Sequence, residues 1–150
     1  MSREAIYEAV FALATGLSWT GAAGPTSFVN PMRRVRTFSE IREWPTLSQA
    51  EHDEAISART NIPTSNTFNV TWLVYHNVGK DKSVIPASES NAILDAIDGL
   101  FPIDNSEGSL QTLGGLVHRV SVSGRIIKEH GDLQGQALLM IPLKILTFPS

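Results

Sequence analysis

The chain has 150 residues, of which 42% are hydrophobic and 18% charged, with 12 basic and 15 acidic side chains and no cysteine. One core at this length can cover roughly 70% of the surface that the unfolded chain exposes, so we expect a single domain spanning residues 1–150. The absence of cysteine excludes disulfide frameworks, thiolate metal sites and thiol nucleophiles, and the net charge of −3 argues against a dedicated nucleic-acid-binding protein.

Residues 2–17 form the first predicted helix. Apolar residues recur there at intervals of three and four positions, which is typical of an amphipathic helix. Ser2 is the expected N-cap, and Gly16 lies where the helix should end. The glycine, proline, serine and threonine residues of the segment 20–31 predict turns, and 33–38 is predicted to be a short strand.

The segment 39–66 sustains neither a helical nor a strand period, and two prolines interrupt it. An irregular connection of this length is uncommon inside a compact domain and is usually functional or mobile. We therefore expect a long loop that becomes ordered when it meets a partner, with Trp44 as its large apolar contact. A short helical turn within it is predicted at 51–58.

The clearest strand follows at 68–77, where β-branched and aromatic residues alternate with polar ones. Leu73 and Tyr75 lie on its second face and predict partial burial on both sides. A second helix is predicted to begin at Pro86, capped by a serine at position 88 or 90, and to end before Pro102. The apolar stripe of this helix consists of Ile93, Leu94, Ile97, Leu100 and Phe101. Asp95 and Asp98 point away from this stripe and belong to the polar face.

Two further strands are predicted at 116–128 and 136–148, joined as a hairpin through a glycine-containing connection. Pro142 lies inside the last strand, and because proline has no N–H to donate, that strand is predicted to be at a sheet edge or bulged. The order of elements predicts an α+β fold: a mostly antiparallel sheet of about four main strands, two helices packed on it, and a long loop between the first two strands.

Candidate residues for catalysis or metal binding are few. Glu51, His52, Asp53 and Glu54 have suitable ligand atoms, but four consecutive side chains converge on one ion only where the backbone turns sharply. His76 and His118 both fall on predicted strands, and no serine lies in a nucleophile-elbow motif. The Gly114-Gly115 pair precedes a strand instead of a helix, which indicates a turn with positive φ and not a phosphate-binding loop. We assign no catalytic, cofactor-binding or metal-binding residue, expect no cofactor, and predict that the chain is not an enzyme.

Charge is distributed unevenly along the chain. Residues 33–42 carry a surplus of three positive charges from Arg33, Arg34, Arg36 and Arg42 against Glu40. Residues 86–115 contain no lysine or arginine, and their acidic members are Glu89, Asp95, Asp98, Asp104 and Glu107. Two such segments are either separately solvated or meet when identical copies pack head to tail.

Four segments from position 91 to position 145 together resemble the tail terminator, or tail completion, proteins of long-tailed bacteriophages. They are NAILDAI at 91–97, LGGLVH at 113–118, VSGRI at 122–126 and ALLMIPLKI at 137–145. The resemblance extends over most of the region from residue 68 to the C-terminus, and the first 67 residues agree only in general layout.

The resemblance implies an α+β domain that forms a hexameric ring at the head-proximal end of a finished tail tube. There it stops tube polymerisation and joins the tail to the neck or head–tail connector, without catalytic residues. The implied partners are other copies of the chain, the tube protein on one side and the connector on the other, and genomic DNA passes through the lumen without specific binding.

For such a ring, the charge count predicts interaction residues at Arg33, Arg34, Arg36, Glu89, Asp95 and Asp98. The irregular loop adds Trp44, and the last strand adds Pro142, because that strand is expected to offer an edge to a neighbouring copy. The expected location is the virion, and the host cytoplasm during assembly. No apolar run reaches the roughly 18 residues that span a bilayer, and the first residues lack the apolar region of a secretory signal. Two alternatives remain: another connector ring such as a stopper or adaptor, and a small hydrolase or ligand-binding domain using His76, His118 or Asp95.

Overall fold

The computed structural model describes residues 2–21, 24–59, 62–102, 110–130 and 135–148, with side chains omitted at positions 58, 59 and 62–64. The elements in chain order are α1 (Arg3–Thr15), β1 (Ser18–Gly21), β2 (Gly24–Ser27), a 3₁₀ turn (Phe38–Glu40), β3 (Thr46–Arg59), β4 (Ile62–Asn77), α2 (Pro86–Leu100), β5 (Arg119–Val122), β6 (Ile127–Glu129) and β7 (Gln136–Leu146). The fold is α+β and mostly strands, as predicted, with an antiparallel sheet of five strands and a separate two-stranded sheet.

Helix α1 begins and ends where the sequence predicts. The Ser2 hydroxyl accepts a hydrogen bond from the Ala5 N–H at 3.2 Å, which caps the first turn, and Gly16 is the C-cap. Ile6 and Val10 on its apolar face are buried against the sheet. The segment 20–31, predicted to consist of turns, instead contains the β1–β2 hairpin, which is stabilised by packing of Trp19 against Phe28 at a ring-centroid distance of 4.9 Å.

The segment 39–66 is not a long loop. Most of it forms strand β3 and the start of β4, which pair antiparallel from Thr46 opposite Tyr75 to Arg59 opposite Ile62. The helical turn predicted at 51–58 is therefore wrong. A bulge between Glu51 and Glu54 shifts the register. Charged and polar side chains are typical of an edge strand such as β3, and this composition hides the strand pattern in the sequence.

Strand β4 is confirmed as the clearest strand and is longer than predicted. It pairs with β3 on one side and with β7 on the other. Its first face, which includes Phe68, Trp72 and Val74, is fully buried beneath α1 and α2. On its second face Leu73 is half-buried and Tyr75 is buried, so both faces are covered in part, as expected.

Strand β7 is an interior strand, which contradicts the predicted edge position of Pro142. β4 pairs with one side of β7, while β5 and β6 pair in tandem with the other side. The predicted strand 116–128 is interrupted opposite Pro142: the Ser123 N–H donates to the Pro142 carbonyl at 3.0 Å, and Gly124 then leaves the strand with a φ of 121°. Since Pro142 has no N–H for that side, the partner strand breaks there and β7 needs no bulge.

The β3–β4 hairpin extends beyond the rest of the sheet. Pairing between β4 and β7 stops at Thr67 opposite Leu146, whereas β3 and β4 continue pairing through residues 55–59 and 62–66. We call this two-stranded extension the hairpin arm. No other described strand pairs with its outer backbone edges, although the Asn66 N–H donates to Thr147 Oγ1 and the Asn66 carbonyl accepts from the Thr147 N–H, both at 2.9 Å.

Helix α2 is confirmed with a different N-terminus. Pro86 occupies the first turn and Ile85 is the N-cap without a side-chain hydrogen bond, so neither predicted serine caps the helix. Ile93 and Ile97 are buried, as the apolar stripe predicts. The turn at 113–115 has positive φ at Leu113, Gly114 and Gly115, which confirms the interpretation of the glycine pair. None of the helices in the described ranges is long and apolar enough to cross a membrane.

The predicted strand at 33–38 is also absent. Only Met32 forms a bridge, parallel to Ser48 at the edge of β3, and the following residues cross to the second face of the sheet. There Ile41, Tyr75 and Leu138 form a second, smaller core cluster, with Trp44 packed against it. The first part of the β3 edge is thus covered by residues of its own chain.

Candidate interaction surfaces

Arg33, expected to face a partner, is paired within its own chain. Its Nε and Nη2 atoms donate to the two carboxylate oxygens of Glu51 at 2.7 and 2.8 Å, and Nη1 donates to Glu4. The bidentate hydrogen bonds to Arg33 lower the pKa of Glu51, and the same bonds raise the pKa of Arg33. Arg33 therefore joins α1 to β3 and offers little charge to a partner.

Arg36 is buried on the second face of the sheet, with 8% of its surface exposed. Its guanidinium donates to Ser48 Oγ at 2.9 Å, Thr46 Oγ1 at 3.0 Å and the Leu47 carbonyl at 2.8 Å, and more weakly to the Asn30 carbonyl at 3.3 Å. None of these acceptors is a carboxylate. Burial lowers the pKa of Arg36, because the surrounding groups solvate its charge less well than water does.

Arg36 lines a partly open cleft of about 300 Å³, here called the arginine cleft, with Arg34 and Arg42 at its rim. Its other lining residues are Val29, Asn30, Met32, Glu40, Glu43 and Thr46. Arg34 and Arg42 are exposed and have no ion pair with any residue that the structure describes. Glu40 Oε1 accepts from the Thr37 N–H at 3.2 Å, and three arginines line the cleft against two acids, Glu40 and Glu43. The cleft therefore holds a surplus of positive charge, and Arg42, which was counted only as part of the basic segment, belongs to it.

Trp44 packs on its own chain. Its ring lies 6.2 Å from that of Phe38, which in turn contacts Tyr75 edge-on at 5.1 Å. The segment around Trp44 is thus ordered by contacts with the second face of the sheet. The expectation of a loop that becomes ordered only on meeting a partner is wrong, although Trp44 is only partly buried and lines an open cleft together with Pro45 and Thr26.

The acidic residues behave differently from one another. Glu89 is held within the chain, where its Oε1 accepts from the Trp19 indole N–H at 3.0 Å. Asp95 and Asp98 are exposed on α2, on the side opposite the buried Ile93 and Ile97. Asp104 and Glu107 lie outside the described residues. Of the acidic residues that the structure describes in the segment 86–115, Asp95 and Asp98 are the exposed ones, and we call this pair the acidic helix face.

The arginine cleft and the acidic helix face lie on opposite sides of the sheet. Arg36 contacts Thr46 and Ser48, which with Tyr75 belong to the second face of the sheet. Helix α2 covers the first face, where Ile93 and Ile97 join the core around Trp72. Because the sheet separates the two surfaces, their charges cannot pair within one chain.

Pro142 offers no open strand edge, since its strand has neighbours on both sides. Gly124 lies against it, and a Cβ added at Gly124 would be 3.3 Å from Pro142 Cγ. The expectation that a neighbouring copy pairs with the strand edge at Pro142 is therefore wrong. Among the residues that the structure describes, the β3 side of the hairpin arm is one strand edge without a partner strand, and the irregular composition of the segment concealed it in the sequence.

Two histidines, His76 and His130, flank the buried Ser90. His76 Nε2 and His130 Nε2 each lie 2.7 Å from Ser90 Oγ, and both His76 and Ser90 are buried. His76 Nδ1 has no hydrogen-bond partner in the described part of the chain. A proton on Nδ1 would be a buried unsatisfied donor, so the proton belongs on Nε2, which donates to Ser90, and Ser90 donates to His130.

Burial lowers the pKa of His76 to about 4, and the neighbouring His130 acts in the same direction while Glu89 opposes it. The imidazole is thus neutral at physiological pH. Ser90 is fully buried and reaches no solvent, so the arrangement offers no nucleophile to a substrate. Sequence reasoning treated Ser90 as a helix cap and missed this cluster, for which the pattern gives no signal.

The remaining candidates are dispersed. The His118 ring contacts the Phe148 ring edge-on, with the ring centroids 5.9 Å apart. On the other edge of the sheet, His52 Nε2 lies 3.0 Å from the Thr71 hydroxyl. Within the ranges that the structure describes, no group of three or more histidine, aspartate or glutamate side chains is arranged to hold a metal ion. A comparison of the chain with protein-family models finds no match, and a comparison with curated proteins finds none.

Proposed function

We propose that the chain is a tail terminator protein of a long-tailed bacteriophage, which forms a hexameric ring on the head-proximal end of the tail tube. In this role it ends tube polymerisation and connects the tail to the neck. The proposal is supported by the resemblance of the region from position 68 onward. The structure folds that region into contiguous elements, since β4, β5 and β6 all pair with β7 and α2 packs over them.

One structural observation supports self-assembly, namely the placement of opposite charges on opposite faces of the sheet. A cyclic ring with more than two members uses a heterologous interface, in which two different patches of each subunit meet. The arginine cleft and the acidic helix face are complementary in charge and cannot contact each other within one chain. The work of the protein is accordingly done by interfaces and not by a catalytic group.

The other proposed partners follow from the position of such a ring. One face contacts the tube protein, the other contacts the neck or head–tail connector, and DNA passes through the lumen. The net charge of −3 fits a lumen that does not hold phosphate. The protein is then located in the virion, and in the host cytoplasm before assembly.

The test is a deletion of the coding segment in the phage genome that carries it. We expect tails of uncontrolled length, or tails that remain unjoined to filled heads, and restoration of normal virions when the chain is supplied in trans. Tails of normal length joined to heads would refute the proposal. Imaging of labelled protein in intact virions distinguishes a terminator ring, which touches the tube, from a stopper or adaptor ring, which lies closer to the head.

A further inference from the structure

We infer that the arginine cleft is a carboxylate-binding site, and that its occupant is the acidic helix face of a second copy of this chain. The inference rests on the proposed self-assembly and identifies the two surfaces that meet. Asp95 and Asp98 of one copy would face Arg34, Arg36 and Arg42 of the next copy.

The first argument is the state of Arg36. A guanidinium has five N–H donors, and the described residues supply acceptors for four hydrogen bonds. The remaining donor is on Nη1, and none of the four acceptors carries a negative charge. A buried cation that is fixed in place by neutral groups retains its full charge toward the cleft that it lines. Its fixed position also lowers the entropy lost when an anion binds.

The second argument is the contrast among the arginines. Arg3 and Arg33 are neutralised by carboxylates of their own chain, whereas Arg34 and Arg42 at the cleft are exposed with no such pair in the described ranges. Three cations thus converge on one partly open cleft of about 300 Å³.

The third argument selects a carboxylate over phosphate. Glu40 and Glu43 also line the cleft and limit its positive surplus. These two acids repel every incoming anion, but the repulsion is stronger for a nucleic-acid backbone, which carries many closely spaced charges, than for two single carboxylates, each of which an arginine can bind with two hydrogen bonds. Asp95 and Asp98 are three positions apart on one exposed helix face and have this spacing.

The test uses charge reversal in the full-length chain. The variant R34E/R42E reverses the rim of the cleft, and D95K/D98K reverses the acidic helix face; all four positions are exposed, so both variants should fold. K80E/K82E is the matched control for R34E/R42E, because it makes the same change in net charge at two exposed residues outside the cleft. Self-association is measured by sedimentation velocity at about 0.05 M and about 0.5 M salt.

We expect the parent chain to associate at low salt and to dissociate as salt screens the charges. Each reversal should weaken association by at least about tenfold, while the control follows the parent. An equimolar mixture of R34E/R42E and D95K/D98K should associate again, because every interface in an alternating assembly then joins opposite charges. Recovery in the mixture distinguishes a direct contact from a general loss of stability.

The inference would be overturned by a parent chain that stays monomeric at low salt and high concentration, or by reversals that behave like the control. It would also be overturned if both variants fail to associate and the mixture does not recover. Binding of a DNA oligonucleotide that R34E/R42E abolishes, without an effect on self-association, would assign the cleft to phosphate instead. None of these results decides the proposed function, because the deletion test measures tail length and joining and not self-association.

Discussion

Acidification should destabilise this protein at a pH where its carboxylates are still ionised, because His76 is buried in its neutral form. The folded-state pKa of His76 is about 4, against 6.5 for an exposed imidazole. The unfolded chain therefore binds the proton first, so stability is fully present above pH 6.5 and is lost as the pH falls toward 4. The whole difference corresponds to about 3 kcal/mol, of which about 2 kcal/mol is lost on going from pH 7.5 to about pH 5.

The assay is urea denaturation of the parent, H76Q and H52Q at pH 7.5 and at about pH 5, which is above the ordinary pKa of carboxylates at about 4. The parent should lose about 2 kcal/mol of unfolding free energy over this interval, whereas H76Q should lose less than about 0.5 kcal/mol. H52Q removes an imidazole at the surface and should lose as much as the parent. A loss in H76Q equal to that of the parent would refute the assignment of acid sensitivity to His76.

Three further changes test the packing of the fold by urea denaturation. R36K should destabilise by about 2 kcal/mol, because an ammonium group cannot reach all the acceptors of the guanidinium, and an unchanged midpoint would contradict the buried network. L139A removes a fully buried side chain and should cost about 2–5 kcal/mol, against less than about 1 kcal/mol for the exposed L146A; equal losses would contradict the burial of Leu139 in the core. G124A should destabilise by about 1 kcal/mol or more because of the φ of 121°, whereas G99A, in a helix with open space around it, should stabilise by up to about 1 kcal/mol; the opposite signs would contradict the strand break at Gly124.

The helices were predictable because their signals are local. Periodic apolar residues, a serine cap at position 2 and a proline at position 86 determine α1 and α2 within one or two residues of the observed bounds. The one error in α2 concerns its N-cap. Ser90 is not at the helix terminus but inside it, bound to two histidines from β4 and from the residue after β6, which no spacing rule anticipates.

Strand β3 was not predictable from its own residues. Ser48 and Gln49 are polar, yet both are fully buried, because Arg36 donates to Ser48 and the Gln49 amide bridges the Tyr7 carbonyl and the Trp72 indole. These partners lie between 12 and 42 positions away in sequence. A strand stabilised by hydrogen bonds to distant groups has no alternation of apolar residues to indicate it.

The candidate interaction surfaces were also predictable only in part. Counting charges located the basic and acidic segments, but it could not separate Arg33 and Glu89, which are used within the chain, from Arg34 and Asp95, which remain exposed. That separation depends on which side chains meet after folding. Pro142 is a further example. Its residue type indicates that strand pairing is interrupted, but only the folded structure shows that the interruption lies in the neighbouring strand and not in β7.

By itself, the sequence determined the α+β class, both helices, the clearest strand and the uneven distribution of charge, since these follow from local periodicity and composition. Only the tertiary structure decided that the presumed loop is an edge strand, that the last strand is interior, and that the arginine cleft and the acidic helix face lie on opposite sides of the sheet. The physical reason is that burial and ion pairing are properties of contacts between distant residues, and a single chain segment contains no record of which distant residue it will meet.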